Sequence, residues 1–173
     1  MGDCGMAAAV TGLRFVPLDP GLAERIAPWF DDPATQRFLG DRQWIKRELR
    51  LIHDMPRQRH RGLTITGRWG WVVFEGPEPV AFVGTERNDD RTASASLVVA
   101  PERRGRRIGR RAIVALLEQP EVEGVIRLLG SIDPDNVASI RCLIALGVGV
   151  PADADDEGML TFDMPVSRHA SRA

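Results

Sequence analysis

The chain contains no tyrosine, one lysine (Lys46) and two cysteines, and each shortage narrows what it can be. Without tyrosine, no phenol can serve as an acid, a base or a hydrogen-bonding ring. Cys4 stands near the start and Cys142 inside a helical pattern, so no disulfide framework is implied and the reading is cytoplasmic. No apolar run approaches bilayer length; even the stretch around Ser96–Ala100 is far too short, so no membrane span is expected. The opening residues carry Asp3 and lack a basic segment followed by an apolar one, which argues against a signal peptide, and Met6 replaces the Ser or Thr of a myristoylation motif. A net charge of −1 argues against a general nucleic-acid binder. His53 and His60 have no partners at zinc spacing. Asp153–Glu157 begins like a calcium loop, but Met164 stands where that loop needs glutamate, so no metal is assigned.

What is present is ordinary globular material: 173 residues, 43% hydrophobic and 27% charged, enough for one self-sufficient core. Residues 1–12 read as a flexible tail, 13–166 as one domain and 167–173 as a second tail. Leu13–Pro17 alternates like a strand, and Asp19 offers an N-cap for a helix through about Phe30, with Pro28 able to end or kink it. A short helical piece near Gln36–Leu39 precedes a helix from about Asp41 to Met55, with Trp44, Ile45, Leu49 and Ile52 at helical spacing. Arg57–Gly67 is basic and polar and reads as a mobile loop. Trp69–Glu75 and Pro79–Arg87 form a hairpin pattern, and Thr92–Val99 is a further strand. A helix is expected over Arg104–Glu118, a strand over Gly124–Ile132, a helix over Asn136–Leu146 closed by Gly147, and a strand over Met159–Met164. This order describes a mixed α/β sheet.

Val98–Arg111 places a strand, a glycine-bearing turn and a helix start in succession, with six arginines between Arg103 and Arg111. A helix start exposes unpaired N–H groups and the positive end of its dipole, which suits a pyrophosphate, and arginines can reach further phosphates. On charge alone, a solvated basic face or a nucleic-acid or membrane contact explains it equally well. No Gly-Lys-Ser/Thr follows, and Gly-x-Gly-x-x-Gly is absent, so neither nucleotide fingerprint applies.

The segment resembles the acetyl-CoA-binding motif of the GNAT acetyltransferase superfamily, Arg/Gln-x-x-Gly-x-Gly/Ala, running from Arg104 to Gly109. Arg107 departs from it, standing where the family has its first glycine. A second block, Asn136–Val148, is similar to the later motif Asn-x-x-Ser/Ala-Ile-Arg-x-Tyr-x-x-x-Gly-Phe, matching at Asn136, Ser139, Ile140, Arg141 and Gly147. Alone it would pass as a capped helix; two blocks in order, one strand apart, make coincidence a poor account.

The resemblance implies a single α/β domain whose central sheet splays between the fourth and fifth strands, with helices on both faces. It implies acetyl-CoA as donor, the pantetheine arm lying along Leu97, Val98 and Val99, and the pyrophosphate on Arg104, Gly105, Arg106, Arg107, Ile108, Gly109 and Arg110, assisted by Asn136 and Ser139. A backbone N–H at Val98 or Val99 would hold the oxyanion, Val99 being preferred. Many relatives carry an acid on the fourth strand; here it bears only Ser94 and Ser96, leaving Glu86 or Asp133 to deprotonate the amine. Leu143 occupies the usual tyrosine acid's position, so the thiolate leaves unassisted or takes a proton from solvent. Cys142 reads as a buried helix residue. For the acceptor, Trp29–Pro33 and Ile132–Pro134 resemble segments of aminoglycoside N-acetyltransferases, marking Trp29, Asp31, Asp32 and Asp133 as contacts for a small cationic amine. The acidic loop Asp153–Glu157 either joins that mouth or is simply solvated. Leu143 also resembles the pattern of ribosomal-protein N-terminal acetyltransferases, the alternative reading. A catalytically weak acyl-CoA sensor is a third. Small GNAT proteins are often dimers, so a homodimer is possible, without an identifiable interface.

Overall fold

Neighbouring strands in a chain pair antiparallel when a tight turn joins them, whereas a parallel pair needs a crossover. Both cases occur in the computed structural model, which describes residues 12–54, 58–60 and 62–166. The two expected tails, apart from Gly12, lie outside those residues. Six strands, β1 (Arg14–Pro17), β2 (Leu63–Glu75), β3 (Glu78–Asn88), β4 (Thr92–Val99), β5 (Arg127–Ile132) and β6 (Leu160–Pro165), lie side by side in chain order. The residues Arg59–His60 fold back on β2 as a two-residue edge. All pairings are antiparallel except β4 with β5. That parallel ladder pairs Thr92 with Arg127, Ala93 with Leu128 and Ser94 with Leu129, then stops, so the sheet opens beyond Ser94.

Helices cover both faces. On one lie α1 (Pro20–Ile26), the 3-10 turn Ala27–Asp31, α2 (Pro33–Phe38) and α3 (Gln43–Asp54); on the other lie the crossover helix α4 (Ile108–Leu117) and α5 (Val137–Ala145). Successive strand residues point to opposite faces, so Val72 and Phe82 join Ile26, Phe30 and Ile45 in one core. Val73 and Val83 join Ile108, Ala112 and Leu116 in the other. Each such fully buried side chain contributes roughly 1.5–3 kcal/mol of transfer free energy.

Several expected boundaries move for identifiable reasons. Asp19 does cap α1, accepting from Leu22 N at 2.7 Å. The helix ends at Ile26 and passes into a 3-10 turn, since Pro28 has no N–H to continue the α-helical ladder. Of the loop expected over Arg57–Gly67, Arg57 and Arg61 lie outside the described residues, and the rest is corrected: β2 already begins at Leu63, because β3 extends to Asn88 and pairs with Ile65, Gly67 and Arg68. The helix expected from Arg104 starts at Ile108, after a 3-10 turn over Pro101–Arg103. The strand expected from Gly124 starts at Arg127.

Candidate active site

The direction of each main-chain group on β4 follows from two hydrogen bonds. Ala100 N donates to Val80 O at 3.0 Å, and Thr85 Oγ1 donates to Ser94 O at 2.7 Å, so even-numbered residues turn their main chain toward β3. By alternation, Leu97 and Val99 turn theirs toward the opening beyond Ser94. Val98 instead directs its main chain to β3 and buries its side chain beneath the α1–α3 layer, so only two of the three residues Leu97, Val98 and Val99 present backbone groups to the gap.

The turn from β4 to α4 is built from left-handed residues. Gly105 has φ +76° and Arg107 φ +60°. The second value accounts for the glycine of the motif and not for the arginine here: the position demands a conformation that glycine adopts freely and arginine adopts at a cost of roughly 1 kcal/mol or more. Arg107 is the N-cap of α4 and no side chain caps the helix, leaving the first-turn N–H groups of Ile108, Gly109 and Arg110 without an intrahelical acceptor. Gly109 lets α4 settle close to the strand: a Cβ there would lie 3.2 Å from Leu97 Cδ2 and 3.6 Å from Cys142 Sγ. Arg106, Arg107 and Arg110 are exposed. Arg104 turns away to α2, donating from Nη2 to Asp32 Oδ2 and to Thr35 Oγ1, both at 2.8 Å. Asn136 caps α5, accepting from Ser139 N at 3.2 Å. Leu143 is buried in the α4–α5 core, and burial pushes the Cys142 thiol up from its ordinary pKa.

On the opposite face of the same strand lies a cleft of about 160 Å³. Its floor is Gly84, Ser94 and Ser96; its walls are Trp44 and Glu48 from α3 and the Arg68–Glu86 pair. Phe30 stacks on Trp44 with centroids 5.5 Å apart, and Phe82 meets it edge-on at 5.8 Å, which fixes that wall. Arg68 and Glu86 are register partners on β2 and β3 and form an ion pair in which the arginine is 8% and the glutamate 33% exposed. The Nη1 of Arg68 is buried without a hydrogen-bond partner in the protein. Desolvation raises the Glu48 pKa above the ordinary glutamate value, Arg68 opposing the rise and Glu86 adding to it. Gly84 keeps the floor open, because a Cβ there would lie 2.6 Å from Ser96 Oγ.

The sequence candidates distribute unevenly around this cleft. Glu86 lines it. Asp133 does not: it sits in the β5–α5 turn, where its Oδ1 accepts from Asp135 N at 2.8 Å. Trp29 is 7% exposed and belongs to the core under α1–α3. Asp31 is held by Arg42, and Asp32 is taken up by Arg104 and by capping α2 at Thr35 N; these partners lower both carboxyl pKa values. Asp155 stabilises its own loop by accepting from Glu157 N and Met159 N. Among the described residues, no cluster of three metal-ligating side chains occurs.

Glu48 and Arg68 were not legible as site residues. Glu48 nevertheless interrupts the apolar stripe of α3, one turn after Trp44 and between Ile45 and Ile52, and a charge on a buried face is the signal that marks it. Arg68 stands just past the stretch that reads as a loop, with nothing local to mark it.

Comparison with known proteins matches residues 13–148 to the family model described as the acetyltransferase (GNAT) domain. No curated protein sequence matches significantly. Among solved structures, an acetyltransferase from Thermus thermophilus superposes with a TM-score of 0.69 at 21% identity, covering 89% of this chain and 97% of that one. The aminoglycoside acetyltransferase AAC(6')-Ib in complex with coenzyme A gives 0.69 at 13% identity, covering 90% and 95%. A spermidine N-acetyltransferase chimera from Vibrio cholerae gives 0.65 at 16% identity, covering 90% and 94%. At these identities the likeness speaks for the fold.

Proposed function

Since the chain belongs to the GNAT acetyltransferase family, we propose that it transfers the acetyl group of acetyl-CoA to a primary amine of a small cationic molecule. The observation that carries this reading is the shared strand: β4 borders the opening beyond Ser94 on its edge and floors an acid-bearing cleft on one face. A thioester laid along that edge would meet an amine rising from the cleft, and holding both reactants in line removes much of the entropic barrier. Aminoglycoside and spermidine acetyltransferases among the similar folds are consistent with such an acceptor.

In this proposal the pantetheine arm pairs with the main chain of Leu97 and Val99, and the Val99 N–H holds the developing oxyanion. One such donor is typically worth about 10²–10³ in rate. The pyrophosphate rests on the turn and helix start at Gly105, Arg106, Arg107, Ile108, Gly109 and Arg110, where open N–H groups and arginine charge add. Arg104 would join them only on leaving Asp32. With Leu143 apolar and buried, the thiolate takes its proton from solvent, which a thiol pKa near ~8.5 tolerates. Glu86 and Glu48 form the negative wall that receives the ammonium.

The test is incubation with acetyl-CoA and a panel of aminoglycosides, polyamines and short peptides, following free thiol and product mass. Acetylated polyamine or antibiotic supports the small-amine reading. Acetylation of peptides alone would overturn the acceptor class and leave the chemistry standing.

A further inference from the structure

Resting on the acetyl-transfer reading, we propose that Glu48 takes the proton from the ammonium of the acceptor, whose amine-bearing end enters the cleft beside it. The assignment starts from what the cleft contains. Its ionisable walls are Glu48 on α3 and the pair Arg68 and Glu86 on β2 and β3; β4 contributes only the neutral Ser94 and Ser96. Arg47, on the same helix as Glu48, adds a more distant positive charge. Glu86 is committed to Arg68 by their ion pair. A carboxylate spent on a guanidinium is a weak proton acceptor, because protonating it would leave a buried cation unpaired. Glu48 has no such partner among the hydrogen bonds described, and it stands one helical turn from Trp44, whose ring Phe30 and Phe82 hold in place. Its raised pKa brings it nearer to that of an alkylammonium, as an efficient base requires.

Gly84 lies on the floor, and a Cβ there would meet Ser96 Oγ at 2.6 Å, so the floor is open at that point because Gly84 lacks one. A space of about 160 Å³ takes the amine-bearing end of an acceptor.

The step balances without a further reagent. One ammonium proton passes to a Glu48 carboxylate oxygen, and the freed nitrogen pair forms a bond to the acetyl carbonyl carbon. The carbon–sulfur bond then breaks with its electron pair on sulfur. The second nitrogen proton goes to solvent, from which the thiolate takes one, and Glu48 returns its own.

The test has two readouts. The first is the carboxyl 13C titration of Glu48 in the whole protein, with and without saturating spermidine, a readout that needs no turnover. A midpoint above the ordinary glutamate range that falls when spermidine binds is expected; an ordinary midpoint, or one unmoved by spermidine, overturns the assignment. The second is kcat/KM against pH for Glu48→Gln, Glu48→Asp and Glu86→Gln with the best amine of the panel. Glu48→Gln should lose about 100-fold or more at pH 7, and the deficit should shrink as pH climbs toward the amine pKa of roughly 10. Glu48→Asp should recover part of the loss, and acetyl-CoA affinity should stay within about twofold. Glu48→Gln should also melt no lower than the wild type, because it removes a charge that burial penalises. A loss uniform across pH, or a pH-shifted profile in Glu86→Gln alone, would overturn the role of Glu48. A wild type that acetylates no amine would sink the parent reading, while the 13C titration would still decide this one.

Discussion

Replacing Arg68 with Met tests whether its ion pair with Glu86 supports both the sheet and the cleft proposed for the acceptor. Arg68 is 8% exposed, and its loss would leave Glu86 and the neighbouring Glu48 as two carboxylates without a cation between them. Removing one partner of a buried pair costs about 3–5 kcal/mol, and the one-third exposure of Glu86 lets water absorb part of it, which places the cost near ~3 kcal/mol. For a chain of this length each kcal/mol moves the melting temperature by roughly 2–4 °C, so a fall of about 6–12 °C is expected at pH 7. The pH dependence has a definite sign. Burial already raises the Glu48 pKa and Arg68 opposes that rise, so without Arg68 the Glu48 folded-state pKa climbs further above its unfolded value, and the penalty holds above that range and fades as pH falls through the folded pKa. Melting curves at pH 7 and pH 5 should therefore converge on those of the wild type on the acid side. Arg68→Met with Glu86→Gln should recover much of the loss, since neither charge is then left alone. A single variant within one or two degrees of the wild type, or a double variant no better than the single, would refute the reasoning.

Three further outcomes follow from the geometry. Arg107→Gly should relieve left-handed strain of about 1 kcal/mol or more against a glycine entropy cost of ~0.5–1 kcal/mol, so calorimetry should find stability unchanged or slightly higher; a clear loss would contradict the strain. Gly84→Val should raise the amine KM at least about tenfold and leave acetyl-CoA binding intact, because the new side chain fills the cleft floor and overpacking costs roughly 1–3 kcal/mol; an unchanged KM would place the acceptor elsewhere. Asp32→Asn keeps a capping side chain on α2 but weakens the hold on Arg104, so titration calorimetry should find tighter acetyl-CoA binding, with a stability change below about 1 kcal/mol; weaker binding would mean that Arg104 serves best where it is.

The segment proposed to hold the cofactor could be marked in the sequence because it is local. A strand, a turn and a helix start in succession carry their own backbone requirements, and Asn136 and Gly147 mark the limits of α5 by capping chemistry alone. At the discordant Arg107 the left-handed φ shows why the motif has glycine. The cleft proposed for the acceptor was not legible, because it is assembled across distance. Arg68 and Glu86 meet through strand register, and Glu48 reaches them from a helix in another part of the chain. Asp31, Asp32 and Asp133 looked like an acidic mouth in sequence, yet their oxygens are engaged by Arg42, by Arg104 and by a turn N–H respectively. Trp29 looked like a contact and is core. Local pattern could place these residues near turns but could not say what they would find there.

The most direct measurement of the central claim is the reaction itself: acetyl-CoA with spermidine and kanamycin, followed by thiol release and product mass, for the wild type and Glu48→Gln from pH 6 to 10. The account predicts a singly acetylated amine from the wild type, and a variant whose deficit is large near neutrality and closes as the free amine becomes abundant. Thiol released without an acetylated amine, or a variant indistinguishable from the wild type across that range, would contradict it.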